Sequence, residues 1–208
     1  MSTSPWRPQR EREHDRKADR ELKREAVLRT AAQVFNEKGF QAATLDEVAE
    51  RLHVSKPTLY YYVKNKDEIL FECVRIGLTM LQQAVAEVDA AGGRAFDKLV
   101  ATMREYVHIV TQDFGMCIIR VGEDPLPAPS RIALREMKRG LDLEFRRLIE
   151  QSVAEGSIAP CDAKIAAFTV AGALSWIGRW YRPGGELTPD QVADQVIALL
   201  CRGLRTAA

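Results

Sequence analysis

The chain has 208 residues, 46% of them hydrophobic and 28% charged, with a formal net charge of +1. That suits one large or two small globular domains with a real core. No apolar run approaches the roughly 18–20 residues of a membrane span, and the charged N-terminus has no apolar centre, so neither a span nor a secretory leader is expected.

The charge is uneven. Residues 1–66 carry 14 Lys/Arg against 10 Asp/Glu, and residues 67–208 carry 16 against 19. A basic N-terminal third suits a polyanion partner. Cys73, Cys117, Cys161 and Cys201 stand at least 40 residues apart, and His14, His53 and His108 show no ligand spacing. Neither a metal centre nor a cofactor is expected, and buried free thiols fit a reducing cytoplasm.

Apolar positions recur every three or four residues with Gly or Pro at the gaps, which predicts helices throughout. The first centres on Leu22–Lys38, with Leu28, Ala31, Ala32 and Phe35 inward, and stops at Gly39. The charged run before it, with the (i, i+4) pairs Glu13–Lys17 and Asp19–Lys23, reads more readily as a solvated arm than as more helix. Thr44 opens a second helix, and Thr44-Leu45-Asp46-Glu47 predicts a reciprocal capping box. After a tight turn at His53-Val54, Ser55 caps a third helix over Lys56–Val63, where Pro57 is tolerated in the first turn. Two short helices joined by a tight turn, the second polar, form a helix-turn-helix.

The stretch Ser55-Lys56-Pro57-Thr58-Leu59-Tyr60-Tyr61-Tyr62-Val63 carries the chemistry. Leu59 and Val63 supply the inward face, so three consecutive tyrosines cannot all be buried. Ser55, Lys56, Pro57 and Thr58 lie where a recognition helix reaches base edges, Thr58 suiting a thymine methyl and Lys56 guanine or phosphate. Thr44, Tyr60, Tyr62 and Lys66 suit phosphate oxygens, and Tyr61 is expected to be the partly packed member of the three.

From Thr44 to Glu68, with the approach Phe35…Gly39-Phe40, the sequence closely resembles the DNA-binding domain of TetR-family transcriptional regulators over residues 22–70. His53 departs from the family's frequent Gly, predicting left-handed strain in the turn, and Tyr62-Val63 replaces a common His-Phe pair.

A fourth helix runs from Asn65 or Lys66 to about Val88, a fifth over Arg94–Thr111 and a short sixth over Met116–Val121. Asp124–Pro129 reads as a break with no helix, and Glu123-Asp124 as loop rather than an acid/base pair. Helices follow over Ser130–Glu155, Asp162–Tyr181 and Thr188–Leu204. The fold class is all-α with about nine helices: a charged arm (1–20), a helix-turn-helix unit (21–66) and a ligand-binding and dimerisation unit (67–208).

The resemblance implies a homodimer joined through the last two helices, with Ala167, Val170, Ala171, Leu174, Val192, Val196, Leu199 and Leu200 at the interface. It also implies an effector cavity among the middle helices. Met103, Tyr106, Val107, Val110, Phe114, Met116, Ile119 and Trp176 are its candidate lining, although each taken singly is core-like. The run Trp180-Tyr181-Arg182-Pro183-Gly184-Gly185 looks like that of repressors of lipid or steroid breakdown, whose effectors are acyl-CoA thioesters; other hydrophobic effectors remain open. Double-stranded operator DNA is the expected partner, and the cytoplasm the expected location. No GxSxG, HExxH, Walker or dinucleotide-binding motif occurs, so no catalytic residue and no enzyme are expected. An architectural DNA-binding dimer without an effector is the alternative, ahead of a small helical enzyme.

Overall fold

The computed structural model describes the backbone of residues 9–204 and the side chains of residues 17–202. Among the described residues there are nine helices and no strand: α1 (Gln9–Ala42), α2 (Leu45–Arg51), α3 (Lys56–Tyr60), α4 (Lys66–Ala90), α5 (Ala95–Val110), α6 (Asp113–Arg120), α7 (Ala128–Ala154), α8 (Ala163–Trp180) and α9 (Pro189–Leu204).

Four boundaries differ from expectation, among them α6, which starts at Asp113 rather than Met116. The charged run is helical from Gln9, so it continues α1 instead of forming a separate arm. Asp19 and Lys23 do pair, at 2.6 Å, while the side chains of Glu13 and His14 lie outside the described residues. α3 stops at Tyr60, about one turn short of a regular helix over Lys56–Val63, with Tyr61 and Tyr62 closing back on Thr58 and Leu59 carbonyls. The break at Asp124–Pro129 is shorter than expected, because Pro129 sits in the first turn of α7, where its missing N–H costs nothing.

Local chemistry accounts for most helix ends. Thr44 Oγ1 accepts from Glu47 N (3.2 Å), Ser55 Oγ from Thr58 N (3.3 Å) and Asn65 Oδ1 from Glu68 N (2.8 Å). The capping box at Thr44 is one-sided, since the Glu47 carboxylate takes Lys38 and Arg51 at 2.8 and 2.9 Å. The reciprocal form occurs at Thr188, whose N–H and hydroxyl both bond Gln191. Gly39, at φ 77°, breaks α1 before its last turn, and His53 holds φ 54°, the strained turn that its place in the sequence implied.

One buried cluster runs from Val27, Leu28 and Phe35 of α1 through Leu59 and Val63, along Ile69–Val85 of α4, and on to Phe114, Cys117 and Leu134. A second joins α5, α7, α8 and α9. By length and composition α4 is apolar enough to cross a membrane, a test that the core helix of a globular protein also passes. Its apolar positions Ile69, Leu70, Val74 and Leu78 are instead buried in the shared core, where α1, α5, α6 and α7 pack around it. Cys73 and Cys117 are buried free thiols, and Cys161 is exposed rather than buried.

Candidate DNA-reading face and effector cavity

The short α3 seats itself by burying Leu59 and the following Val63 completely, which turns its other side outward. Ser55, Lys56, Pro57 and Thr58 are all exposed, as is Thr44 at the start of α2. In this state the polar groups satisfy one another: Ser55 Oγ and Thr58 Oγ1 are 2.8 Å apart, and Lys56 Nζ lies 2.9 Å from Asp46. That carboxylate holds the Lys56 ammonium above its usual pKa. Any contact these groups make with a partner therefore replaces a bond already made.

The tyrosines sort differently from the sequence reading. Tyr61 is the most exposed at 65%, Tyr60 follows at 46%, and Tyr62 is the one packed against the core. Helical period accounts for this: Tyr62 is three residues beyond Leu59 and shares its buried side, whereas Tyr61 is two residues from both Leu59 and Val63 and faces away. Arg20 lies 5.2 Å from its ring, which brings the basic N-terminal half of α1 beside this face. Lys66 is half-buried over the Phe40 ring (4.5 Å) and donates to the Gln41 carbonyl at 3.2 Å, tying α4 to the end of α1.

A cavity of about 460 Å³ opens between α4, α5, α6, α7 and α8. Its wall is apolar, with Leu78, Leu81, Ile118, Leu141, Phe145 and Phe168, and its polar inner contact is Tyr106 Oη to Ser175 Oγ at 2.8 Å. Burial pushes the Tyr106 phenol pKa up, so it stays a neutral hydrogen-bonding group. Of the expected lining residues, only Tyr106 and Ile119 reach the cavity. Met103, Val107, Val110, Phe114 and Met116 are packed into the core, and Trp176 is 65% exposed on the outside of α8. Three cations of α7 absent from the expectation, Arg135, Lys138 and Arg139, border the cavity. On sequence they read as the solvated face of a long helix.

The expected dimer residues also divide. Ala167, Val170, Leu174 and Val192 are buried within the protomer's own second core, Ala171, Val196 and Leu200 are half-buried, and Leu199 is 68% exposed. The outward apolar stripe of α8 is Ile165, Phe168, Gly172 and Trp176, spaced three and four apart on one face. Both faces of α8 are apolar, and the expected residues Ala167, Val170 and Leu174 lie on the inner one.

Two family descriptions match the chain: bacterial regulatory proteins of the tetR family over residues 27–73, and the tetracyclin repressor-like C-terminal domain over residues 92–204. The HTH-type transcriptional repressor KstR2 of Rhodococcus jostii (strain RHA1) is 30% identical over 191 residues, covering 88% of this chain and 91% of the relative. The solved ketosteroid transcriptional regulator KstR2 of Mycobacterium tuberculosis superposes with a TM-score of 0.82 at 22% identity, over 89% and 96% of the two chains. AibR, solved in complex with isovaleryl coenzyme A and operator DNA, gives a TM-score of 0.75 at 25% identity over 85% and 96%.

Proposed function

Because the chain belongs to the TetR family of transcriptional regulators, we propose that it is a homodimeric repressor released from a palindromic operator by an acyl-CoA thioester. In this reading residues 21–66 read DNA and residues 67–208 bind effector and dimerise. Two α3 helices, about 34–36 Å apart, enter successive major grooves of one operator. Ser55, Lys56, Pro57 and Thr58 face base edges, while Thr44, Tyr60 and Tyr61 reach the phosphates; Tyr62 and Lys66, drawn into the fold, hold the reading face in place. Such a repressor works in the cytoplasm, beside the chromosome.

The observation that carries the effector assignment is the cavity itself: an apolar slot bordered by Arg135, Lys138 and Arg139. An acyl chain desolvates favourably into such a slot, at about 25 cal/mol per Å² of apolar surface buried. Guanidinium and ammonium groups pair with the phosphates of the coenzyme. The complex of AibR with isovaleryl coenzyme A supports the same chemistry. An architectural DNA-binding dimer has no use for this cavity.

The test is a fluorescence-anisotropy titration of acyl-CoAs of graded chain length into protein bound to an operator selected from random DNA. Release by a thioester, with a matching rise in melting temperature, is expected from mass action. If an unrelated apolar compound releases DNA and no thioester does, the repressor reading stands and the thioester reading fails.

On the DNA side, Thr58→Ala and Lys56→Ala are expected to cost about 1–3 kcal/mol on the operator and to relax sequence preference. Tyr60→Phe is expected to weaken operator and random DNA alike. Competition binding on operator and scrambled duplexes separates the two classes; equal losses throughout would remove Thr58 and Lys56 as base readers.

A further inference from the structure

Glu123 sits in the loop between α6 and α7, and only 13% of its side chain is exposed. Its two oxygens are taken by two of the cations at the cavity border: Arg135 Nε donates to Oε1 at 3.4 Å, and Lys138 Nζ to Oε2. Burial pushes the Glu123 carboxyl pKa up, but Lys138 and Arg135 outweigh it and hold the group below the usual carboxylate range. The third border cation, Arg139, has no carboxylate partner among the described residues. The cavity's anion-binding groups are thus partly occupied by an acid of the same chain.

Glu123 is also mechanically placed. Three residues upstream, Arg120 closes α6 by donating to the Gly178 and Tyr181 carbonyls of α8, at 2.8 and 2.7 Å. At the other end of α6, Asp113 accepts from Gln33 (3.0 Å) through its carboxylate and from Asn36 (2.8 Å) through its carbonyl, and Arg29 lies over the Phe114 ring at 5.2 Å. Those three partners belong to α1, the helix that packs against α2 and α4. A shift at the C-terminal end of α6 therefore arrives at α1 through eight residues of helix.

We propose that Glu123 is a built-in occupant of the cationic border, displaced when the phosphates of the effector take Lys138 and Arg135, and that its release frees the α6–α7 loop and lowers operator affinity. This rests on the thioester reading for the identity of the ligand, but not for the role of the latch. Like charge enforces the exchange: a phosphate bound at Lys138 and Arg135 repels the carboxylate already there. Coupling between the sites then follows as a difference in affinity between the latched and unlatched states.

The test compares Glu123→Gln and Lys138→Gln with the parent chain, each as the full-length protein with its helical circular dichroism checked. The probes are octanoyl-CoA and octanoyl-pantetheine, which carries the same thioester without phosphates. Both substitutions open the latch, so both are expected to weaken operator binding without ligand by about fivefold or more. Their effects on octanoyl-CoA are expected to oppose: about fivefold or more tighter for Glu123→Gln, which loses a competitor, and weaker for Lys138→Gln, which loses a ligand group. Octanoyl-pantetheine is expected to bind the Glu123→Gln variant as it binds the parent. Unchanged ligand-free operator affinity in Glu123→Gln overturns the proposal, and so does a shift of octanoyl-CoA affinity in the same direction in both variants. If no thioester binds any of the three proteins, the effector reading fails by itself, and the ligand-free operator affinities still decide the latch. Should Glu123→Gln not fold, Lys138→Gln carries the same operator measurement.

Discussion

The double variant Ile165→Glu/Trp176→Glu is expected to sediment as a monomer at micromolar concentration and to lose operator affinity by about 10³-fold or more. The reason is the outer stripe of α8. Ile165, Phe168 and Trp176 are 60%, 51% and 65% exposed in the protomer, side by side on one helical face, with Leu199 of α9 also outward. Contiguous apolar surface of that kind marks an interaction site. In a symmetric pair each α8 meets its own copy, so two introduced carboxylates become four facing one another. Because neither residue contributes to the protomer's core, helical circular dichroism is expected to survive. Operator specificity needs two reading heads on one duplex, and a monomer keeps only one. A variant that still sediments as a dimer would move the interface away from this stripe.

Gly115→Ala is expected to destabilise the fold by about 3 kcal/mol or more, as a fall in the urea midpoint. A Cβ at this position would stand 1.9 Å from the Ile109 carbonyl oxygen, 2.5 Å from its carbon and 2.9 Å from Val110 Cα. All three are main-chain atoms of α5, so no rotamer change can relieve the clash. The junction of α5 and α6 would have to open, and with it the contact of Phe114 and Cys117 with the core. Gly140→Ala is the control. Its nearest neighbour is the flexible end of Gln82 at 3.8 Å, and alanine inside α7 is expected to gain up to about 1 kcal/mol by helix propensity alone. Similar losses at both positions would mean that backbone approach is not what fixes the α5–α6 corner.

The sequence made the helices legible because their signals are local. Thr44, Ser55, Asn65 and Asp162 each accept from a nearby backbone N–H, and such caps need only a few neighbouring residues to be recognised. The reading head was legible for the same reason, including the strained turn at His53. What the sequence hid was orientation and empty space. On α8, Ala167, Val170 and Leu174 share a helical period with Ile165, Phe168 and Trp176, and only the arrival of α7 and α9 decides which set is covered. A cavity is a place where packing fails, so apolar residues such as Met103 and Val110 carry no mark showing that they fill the core completely. The cations at 135, 138 and 139 gave no signal either, since an exposed helix normally carries such residues. Tyr61 and Tyr62 were separable by period alone: Tyr62 is three residues beyond the buried Leu59 and shares its side, whereas Tyr61 is two beyond and faces away.

The buried cluster that begins at Val27 does not part at residue 66; it continues along α4 and takes in Phe114 and Cys117 of α6. The reading head is therefore not a detachable module in the engineering sense. A chimera cut in the turn before α4 would strand Leu28, Phe35 and Leu59 against a foreign surface, whatever operator its α3 could read. Swapping specificities between such regulators asks for a different unit of exchange: either the few exposed side chains of α3 alone, or the head together with the inward faces of α4 and α6 that complete its interior.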